Sequence, residues 1–498
     1  MSLIETLAPD TASYEPQPWQ LEDITKMAKM PYSANWSEMG CFKTTTALWL
    51  MQEMGAKNAL IITSKNGKGT YFDAFPKSLP GWKLFNVTLG KTTEVITQDF
   101  QIETSLKDLV EQIRLGWHNE PIALLIHYDC FSPTHSKKYG ITETLSKVKW
   151  DFLACDEAHK LKNKDTGWTK EIKKLPAHHR HAMTGTGFVN NPAEIWSILQ
   201  FLRALPHNLK GYWNFRTHFC EEYLDGNGFR HIMGLRKFRV SEFRKMRIDL
   251  GPRRLMTEVH KGIAEPIPRV IEVDLNPTQR RMYNEIKSVL QTLDAHGESL
   301  TSPTVLSQLT RLRQIAVATP KVVDKQFSQK QQRQVTNIKL TDPSAKLDAA
   351  MELIEEISWD DEVRRQVVVF SNFKDPLYLL ENRLAKKDIP FLHMTVEMSE
   401  SQRYKMWHDT FPKKEHKVFL STLALGGESI NLTPAQYLIF LDRSWSPKDM
   451  MQGIGRVYRP GQTAVPEIIY INARKTVDQY VEKKLTKKQG WFNDIFGS

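Results

Sequence analysis

Three short stretches of this chain combine residue types that suit phosphate chemistry. The first is Ser37-Glu38-Met39-Gly40-Cys41-Phe42-Lys43-Thr44, followed by Ala47, Leu48, Met51 and Met54 at helical spacing and a stop at Gly55. A loop entering a helix aims backbone N–H groups and the positive end of the helix dipole at one point, which favours an anion. Lys43 adds a full charge there, and Thr44 a hydroxyl suited to Mg²⁺. An ordinary helix start would explain the same stretch, and Phe42 stands where a phosphate loop has glycine before its lysine. The second stretch is Asp156-Glu157-Ala158-His159, directly after the apolar run Phe152 to Cys155. Adjacent carboxylates at the carboxyl end of a buried strand lie where open α/β sheets bind ligands. Asp156 can hold Mg²⁺ through its water shell, and Glu157 can orient and deprotonate a water that attacks a γ-phosphate. The third is Gln452 to Gln462, QGIGRVYRPGQ. Arg456 and Arg459 are three apart, so on a helix they share a face, and their planar forks pair phosphate oxygens in a bidentate manner. The plain alternative is a pair of surface arginines on a capped helix.

Such groups act only if rigid elements hold them. Short continuous apolar runs form two sets: Ala59 to Thr63, Ile122 to Tyr128, Phe152 to Cys155 and His181 to Thr184, then Val367 to Phe370, Phe391 to Met394, Val418 to Leu420, Leu438 to Leu441 and Ile468 to Ile471. Continuous rather than alternating runs suit parallel strands covered on both faces. The expected fold is therefore α/β, with two doubly wound lobes and helical insertions between them. Lobe 1 is expected over residues 1–262, with a basic helical insertion at about 205–260. Lobe 2 is expected over 263–498, with a helical insertion at about 278–335 and a C-terminal helix carrying Trp491, Phe492, Ile495 and Phe496, expected to pack on lobe 2. The whole stretch from Leu205 to Pro343 reads as largely helical, and Ser328 to Asn337, almost without apolar residues, reads as an exposed loop.

The chain has 498 residues, 41% of them hydrophobic and 25% charged, with 25 Gly and 25 Pro, which suits globular domains rather than disorder or a collagen-like repeat. No apolar run approaches the ~20 residues of a membrane helix. The N-terminus lacks a secretion signal, so an intracellular, cytoplasmic or DNA-associated protein is expected, without membrane contact. Cys41, Cys130, Cys155 and Cys220 are scattered, which suggests reduced thiols and no structural metal. Basic residues exceed acidic ones by 68 − 57 = 11, and between Arg230 and Arg254 there are nine basic residues against Glu242 and Asp249. That concentration would reward a polyphosphate partner, and a solvated face explains it equally well.

In order along the chain, these motifs resemble those of the superfamily-two nucleic-acid motors, and within them the Swi/Snf-type ATPases. Pro18 to Glu22 is similar to the adenine-reading Q motif, with Gln20 as reader. Ser37 to Thr44 resembles the phosphate loop, and Asp156 to His159 with Lys160 to Asn163 the Mg²⁺ and water motif. Met183 to Gly187 resembles the coupling motif, continued by Asn190 to Ser197. Arg253-Arg254, Gln279 to Tyr283 and Arg311 to Gln314 are similar to signatures of the Swi/Snf branch. Ser344 to Leu347 and Val368 to Ser371 resemble the opening of its second lobe. Thr422-Leu423, Gly426-Gly427 and Ile430 to Leu432 are similar to motif V, and Asp442, Trp445 to Pro447 and the arginine run to motif VI. Three positions depart from the pattern: Phe42 for glycine, Gly187 for the proline of T-G-T-P, and Ser429 for glycine.

The resemblance implies two RecA-like lobes and a DNA-dependent ATPase using ATP and Mg²⁺. Gln20, Gly40, Cys41, Phe42, Lys43, Thr44, Thr45, Gly427 and Gln452 would bind the nucleotide, and Thr44 and Asp156 the Mg²⁺. Lys43, Asp156, Glu157, Arg456 and Arg459 would be catalytic, the arginines acting as fingers from the opposite lobe. The implied partner is double-stranded DNA, tracked through its backbone by a monomer, with Thr184, Thr186, Thr422, Arg236, Arg239 and Arg244 as contacts; protein partners are not implied. Two alternatives stay open: a helicase that unwinds, branch-migrates or anneals forks, and a non-hydrolysing, ATP-responsive DNA clamp.

Overall fold

The computed structural model describes residues 15–496 apart from 66, 96–100, 189, 227, 261–263, 296–302, 329–332, 359–364 and 427–429. The chain divides into two compact units, Met1–Val259 with Lys488–Ser498, and His260–Lys487.

The first unit is built on eight strands: β1 (Tyr32–Asn35), β2 (Asn58–Thr63), β3 (Lys83–Thr88), β4 (Lys91–Val95), β5 (Gln101–Thr104), β6 (Ile122–His127), β7 (Trp150–Asp156) and β8 (Ala177–Met183). Their order is β1-β8-β7-β2-β6-β3-β4-β5, parallel as far as β3 and antiparallel for the last two. The central strands are apolar throughout because both faces are covered. Leu60, Ile62, Leu124, Ile126, Leu153 and Cys155 enter one core, and their neighbours Ala59, Ile61, Ala123, Leu125, Phe152 and Ala154 enter the other. That is the two-residue period of a strand read on both faces. Leu48 and Met51 from the helix Lys43–Glu53 and Tyr71 and Phe75 from Lys68–Ser78 fill the second core; Ile198 and Phe201 from Ile195–Leu202 fill the first. Beyond this sheet come a two-stranded hairpin, β9 (Cys220–Leu224) with β10 (Arg230–Leu235), and the helix Val240–Ile248.

The second unit contains β11 (Ile267–Val273), the hairpin β12 (Thr319–Ser328) with β13 (Arg333–Thr341), β14 (Val367–Ser371), β15 (Phe391–Met394), β16 (Val418–Thr422), β17 (Tyr437–Phe440) and β18 (Glu467–Ala473). Its main sheet has the order β11-β18-β17-β14-β16-β15 and is parallel throughout. Val368, Phe370, Phe419, Leu438 and Phe440 face one core, and Val367, Val369, Val418, Leu420, Ile439 and Ile469 the other. Both units are thus doubly wound, the expected RecA-like architecture. No described helix is long and apolar enough to cross a membrane. All four cysteines are free and buried.

Two expectations are corrected. The stretch from Leu205 to Pro343 holds the expected helices Pro277–Ala295 and Pro303–Val317, but also two hairpins and β11. The signal was present in Asp225-Gly226-Asn227-Gly228, a turn sequence between two strand-sized runs. Ser328 and Arg333 to Asn337, read as loop, belong to β12 and β13, because hairpin pairing satisfies the backbone of a polar sequence; 329–332 lie outside the described residues.

The second correction concerns the last helix, Val477–Phe496. From Lys488 it belongs to the first unit, where Phe492, Ile495 and Phe496 join that core instead of packing on lobe 2. Phe496 lies 5.5 Å from the ring of Trp36 and 6.4 Å from Phe188, and the Arg253 guanidinium sits 5.2 Å over Phe492. Apolar area decides the docking, because these side chains bury more surface here than a solvated tail would. Phe496→Ala is expected to destabilise the protein by about 3 kcal/mol, the lower end of the range for a buried aromatic, measured by denaturant unfolding.

Candidate nucleotide and nucleic-acid site

In a parallel sheet covered on both faces, polar groups emerge at the strand ends. Asn35 of β1 and Asp156 of β7 both pair in register with Met183 of β8, so the loops after these strands leave from one edge. Three sequence motifs therefore converge there. Gly185 of the coupling motif lies so close to the phosphate loop that a Cβ on it would stand 3.2 Å from the Ser37 carbonyl oxygen.

The phosphate loop is held from below. The outer edge of β1 is paired by returning chain: Ala34 N–H donates to Leu250 O (2.7 Å), Trp36 N–H to Pro252 O (2.9 Å) and Glu38 N–H to Arg254 O (3.0 Å). Arg254 N–H donates to Ser37 Oγ (3.0 Å), and its guanidinium forks onto both oxygens of Asp23 (2.7 and 3.0 Å). Arg253 donates to Glu38 Oε1 (3.2 Å). These two arginines, part of the basic concentration in the sequence, are thus paired with carboxylates and hold the loop.

Within the loop, Phe42 takes φ 49° and ψ 33°, a left-handed conformation, directly before the helix Lys43–Glu53. Lys43 Nζ donates to Ser37 O (2.9 Å) and Glu38 O (2.8 Å), so its charge lies over the loop's own carbonyls. The hydroxyls of Thr45 and Thr46 donate to Phe42 O (3.0 and 2.9 Å), tightening the first turn. Gln20 is buried and donates through Nε2 to Thr46 Oγ1 (2.9 Å) and Thr45 Oγ1 (3.5 Å). Cys41 is fully buried, and burial pushes its thiol up to about 12.

At the end of β7, Asp156 Oδ2 accepts from Thr63 Oγ1 (3.1 Å) and Oδ1 from the Glu157 N–H (2.9 Å). Burial, and then the charge of Glu157, push the Asp156 carboxyl up to about 6, with Lys43 opposing. Glu157 itself is left-handed (φ 50°), which turns its carboxylate to His159 Nδ1 at 3.0 Å. His159 Nδ1 is also 3.2 Å from Thr184 Oγ1, which donates to Thr186 O (2.7 Å) and accepts from the Thr186 N–H (3.1 Å). A polar chain thus runs from Glu157 to the coupling motif. His159 carries it. Beside Asp156, outside that chain, lies Tyr71, a fully buried phenol whose hydroxyl is pushed up by burial and by the Asp156 charge. Sequence reading gave neither residue a role. His159 stood in the DEAH motif, but Tyr71 offered no signal because only the fold brings the helix Lys68–Ser78 beside Asp156.

In the second unit, Arg456 Nη1 and Arg459 Nη1 both donate to Ile430 O (3.4 and 3.0 Å), and Arg456 Nε to Gln452 O (3.1 Å). The helix Pro447–Val457 ends before Arg459, so the two guanidinium groups meet because the chain turns, not because they share a helical face as expected. Burial lowers the pKa of Arg459. A Cβ on Gly453 would stand 2.8 Å from Leu423, which accounts for that glycine. Thr422 Oγ1 accepts the Leu425 N–H (3.4 Å). Asp442 accepts from Ser371 Oγ (2.7 Å), Asn372 Nδ2 (2.6 Å) and Arg313 Nη2 (3.1 Å), joining three expected signatures in one cluster. Gly427 lies outside the described residues. Of the expected nucleic-acid arginines, Arg236 Nε donates to Cys220 O (3.1 Å), Arg239 pairs with Glu242 (2.6 Å), and Arg244 donates to Asp494 O and Asn493 O (2.5 and 3.3 Å).

Residues 108–320 match the SNF2-related domain, and residues 345–461 the helicase conserved C-terminal domain. The chain belongs to the SNF2-type, helicase-like proteins. It is similar to protein CHROMATIN REMODELING 5 of Arabidopsis thaliana, with 22% identity over 86% of this chain and 23% of that protein. It is also similar to YwqA of Bacillus subtilis, with 26% identity over 75% and 39%, so it spans well under half the length of these relatives. Among solved structures it resembles the Sulfolobus solfataricus SWI2/SNF2 ATPase core in complex with dsDNA, with 22% identity, a TM-score of 0.39, and coverage of 99% of this chain and 95% of that one.

Two departures from the SNF2-type pattern have a physical explanation here. Gly187 leaves room for Phe496, whose ring a Cβ at that position would strike. Phe42 keeps the left-handed backbone that glycine would adopt freely, at a cost of about 1 to 2 kcal/mol for an L-residue. Phe42→Gly should therefore fold at least as stably as the parent, whereas Phe42→Val, β-branched, should lose about 1 to 2 kcal/mol; equal unfolding midpoints for the two would refute the strain.

Asp156 makes a pH prediction. Its folded value of about 6 exceeds the ordinary 3.8, so the folded state holds its proton longer and this group costs stability as pH rises from about 4 to about 6. Asp156→Asn should flatten that part of the stability profile and leave the variant more stable than the parent at pH 7 when no divalent ion is added, measured by denaturant midpoints across pH.

Proposed function

We propose that this protein is an ATP-driven translocase on double-stranded DNA, with the first unit as the ATP-binding lobe. One observation carries the reading: the phosphate loop, the Asp156-Glu157 pair and the coupling motif share one sheet edge, and Glu157 is wired through His159 to Thr184 and Thr186. Lys43 binds the β- and γ-phosphates by exchanging the Ser37 and Glu38 carbonyls for phosphate oxygens, and the loop N–H groups complete the cradle. Gln20, fixed against Thr45 and Thr46, orients the adenine end, with Gly40, Cys41 and Phe42 along the phosphates and Gly427 and Gln452 assigned from motifs V and VI.

The donor set suits Mg²⁺, since Asp156 and Thr44 offer hard oxygens and two crowded carboxylates raise a charge penalty that a dication relieves. When bound, the ion neutralises charge on the phosphates. Glu157 orients the attacking water and takes its proton, and Arg456 and Arg459 are the proposed arginine fingers. The His159 link lets a proton gained or lost at Glu157 shift the hydrogen bonds of Thr184, so hydrolysis and backbone grip are coupled. Thr184, Thr186, Thr422, Arg236, Arg239 and Arg244 are the proposed contacts to the DNA backbone, which predicts strong salt dependence and little sequence preference.

ATP turnover with and without duplex DNA tests this. The parent should be stimulated by duplex, Lys43→Ala should lose turnover by roughly a hundredfold or more, and Glu157→Gln should bind ATP but stall. Turnover indifferent to DNA would remove the translocase reading, and a Glu157→Gln variant that behaves like the parent would favour a non-hydrolysing clamp.

A further inference from the structure

The hairpin β9–β10 stands apart from the nucleotide site, and its construction is unusual. Its base is anchored: Cys220 and Leu235 are buried, Arg236 N–H donates to Phe219 O (2.8 Å), and Arg216 Nη2 donates to Arg230 O (2.8 Å). Glu222 is clamped between Arg216 and Arg230. The residues flanking its turn are tied together as well. Asp225 N–H donates to Phe229 O (3.0 Å), Phe229 N–H to Asp225 Oδ1 (2.9 Å), and His231 Nε2 meets Asp225 Oδ2 (2.7 Å) while stacking on Tyr223 at 5.1 Å.

Beside the turn, this end of the hairpin presents apolar side chains to solvent. Leu224 and Phe229 are each 63% exposed. A free two-stranded hairpin is marginal in water, and here the anchoring holds an oily end outward when it could have been folded under. Charge says what meets it. Glu222 and Asp225 are turned onto Arg216, Arg230 and His231, and Glu221, lower on β9, is the hairpin's exposed carboxylate; beside the tip and near its base the exposed charges are the cations Arg230 and Lys237, the latter next to Phe238 at 71% exposure. Apolar side chains flanked by cations fit a nucleic acid whose bases are parted: the apolar group enters between base steps, and the cations hold the adjoining phosphates.

We infer that the β9–β10 hairpin is a base-pair-splitting wedge, with Leu224 and Phe229 entering the stack at a fork or branch point and Arg230 holding the phosphate beside it. This rests on the translocase reading, to which it adds a preferred substrate, branched rather than uniform duplex DNA. Motion along the backbone would drive the tip into the junction. The parted strands go to either side of the hairpin, where Tyr223 on one face and Phe238 near its base offer rings on which unpaired bases stack.

The test compares the parent with the double variant Leu224→Ser/Phe229→Ser, whose changes lie at exposed positions. A forked duplex carries 2-aminopurine at its first paired position, and a blunt duplex serves for ATP turnover. In the parent, ATP should raise 2-aminopurine fluorescence and release a strand. The double variant should lose roughly tenfold or more of that signal, with blunt-duplex turnover within about twofold of the parent. A double variant that opens the fork as fast as the parent would overturn the wedge, and is the result expected if the tip instead docks a protein. So would a parent that hydrolyses ATP on duplex without opening the fork. A parent without duplex-stimulated turnover would bring down the translocase reading itself, so the two failures are distinguishable.

Discussion

A parallel strand covered on both faces has nowhere to put chemistry except its ends. That constraint explains why residues far apart in the chain, Lys43, Thr63, Asp156 and Thr184, crowd one edge of the first sheet. The apolar alternation between two cores fixes the strands, the register fixes which ends align, and the loops inherit their positions. The edge is then stiffened from outside by backbone pairing along β1 and by Arg254 on Asp23.

Much of this was legible in the residues. The two strand sets were visible because buried parallel strands are continuous apolar runs, and all nine expected runs correspond to strands. β1 was not visible, since Tyr32–Asn35 is only four residues and half polar, and an edge strand gains its place from backbone pairing. The motif residues announced themselves by type and spacing. Their supports did not: Tyr71 and Thr63 reach Asp156 only through the fold, and Arg253 and Arg254 look like free cations until Glu38 and Asp23 are found against them. Charge counted along a sequence overstates the charge a partner meets, because carboxylates from distant segments neutralise it.

The departures from the family pattern carry a related lesson. Gly187 reads as a loss of proline's rigidity, but its neighbour Phe496 comes from the far end of the chain and occupies the space. Phe42 reads as a bulky intruder, but the loop demands a backbone angle rather than a missing side chain, and Phe42 supplies the angle under mild strain. In both cases the local requirement is geometric and the residue type is one way to meet it.

The burial of every cysteine has a practical consequence. Only a thiolate reacts readily with maleimides or oxidants, and Cys41, Cys130, Cys155 and Cys220 are kept protonated by their apolar surroundings. A cysteine introduced at an exposed position would be the one fast-reacting thiol on the molecule. Fluorophore pairs for single-molecule distance measurements could then be attached to each unit without first stripping out the native sulfhydryls.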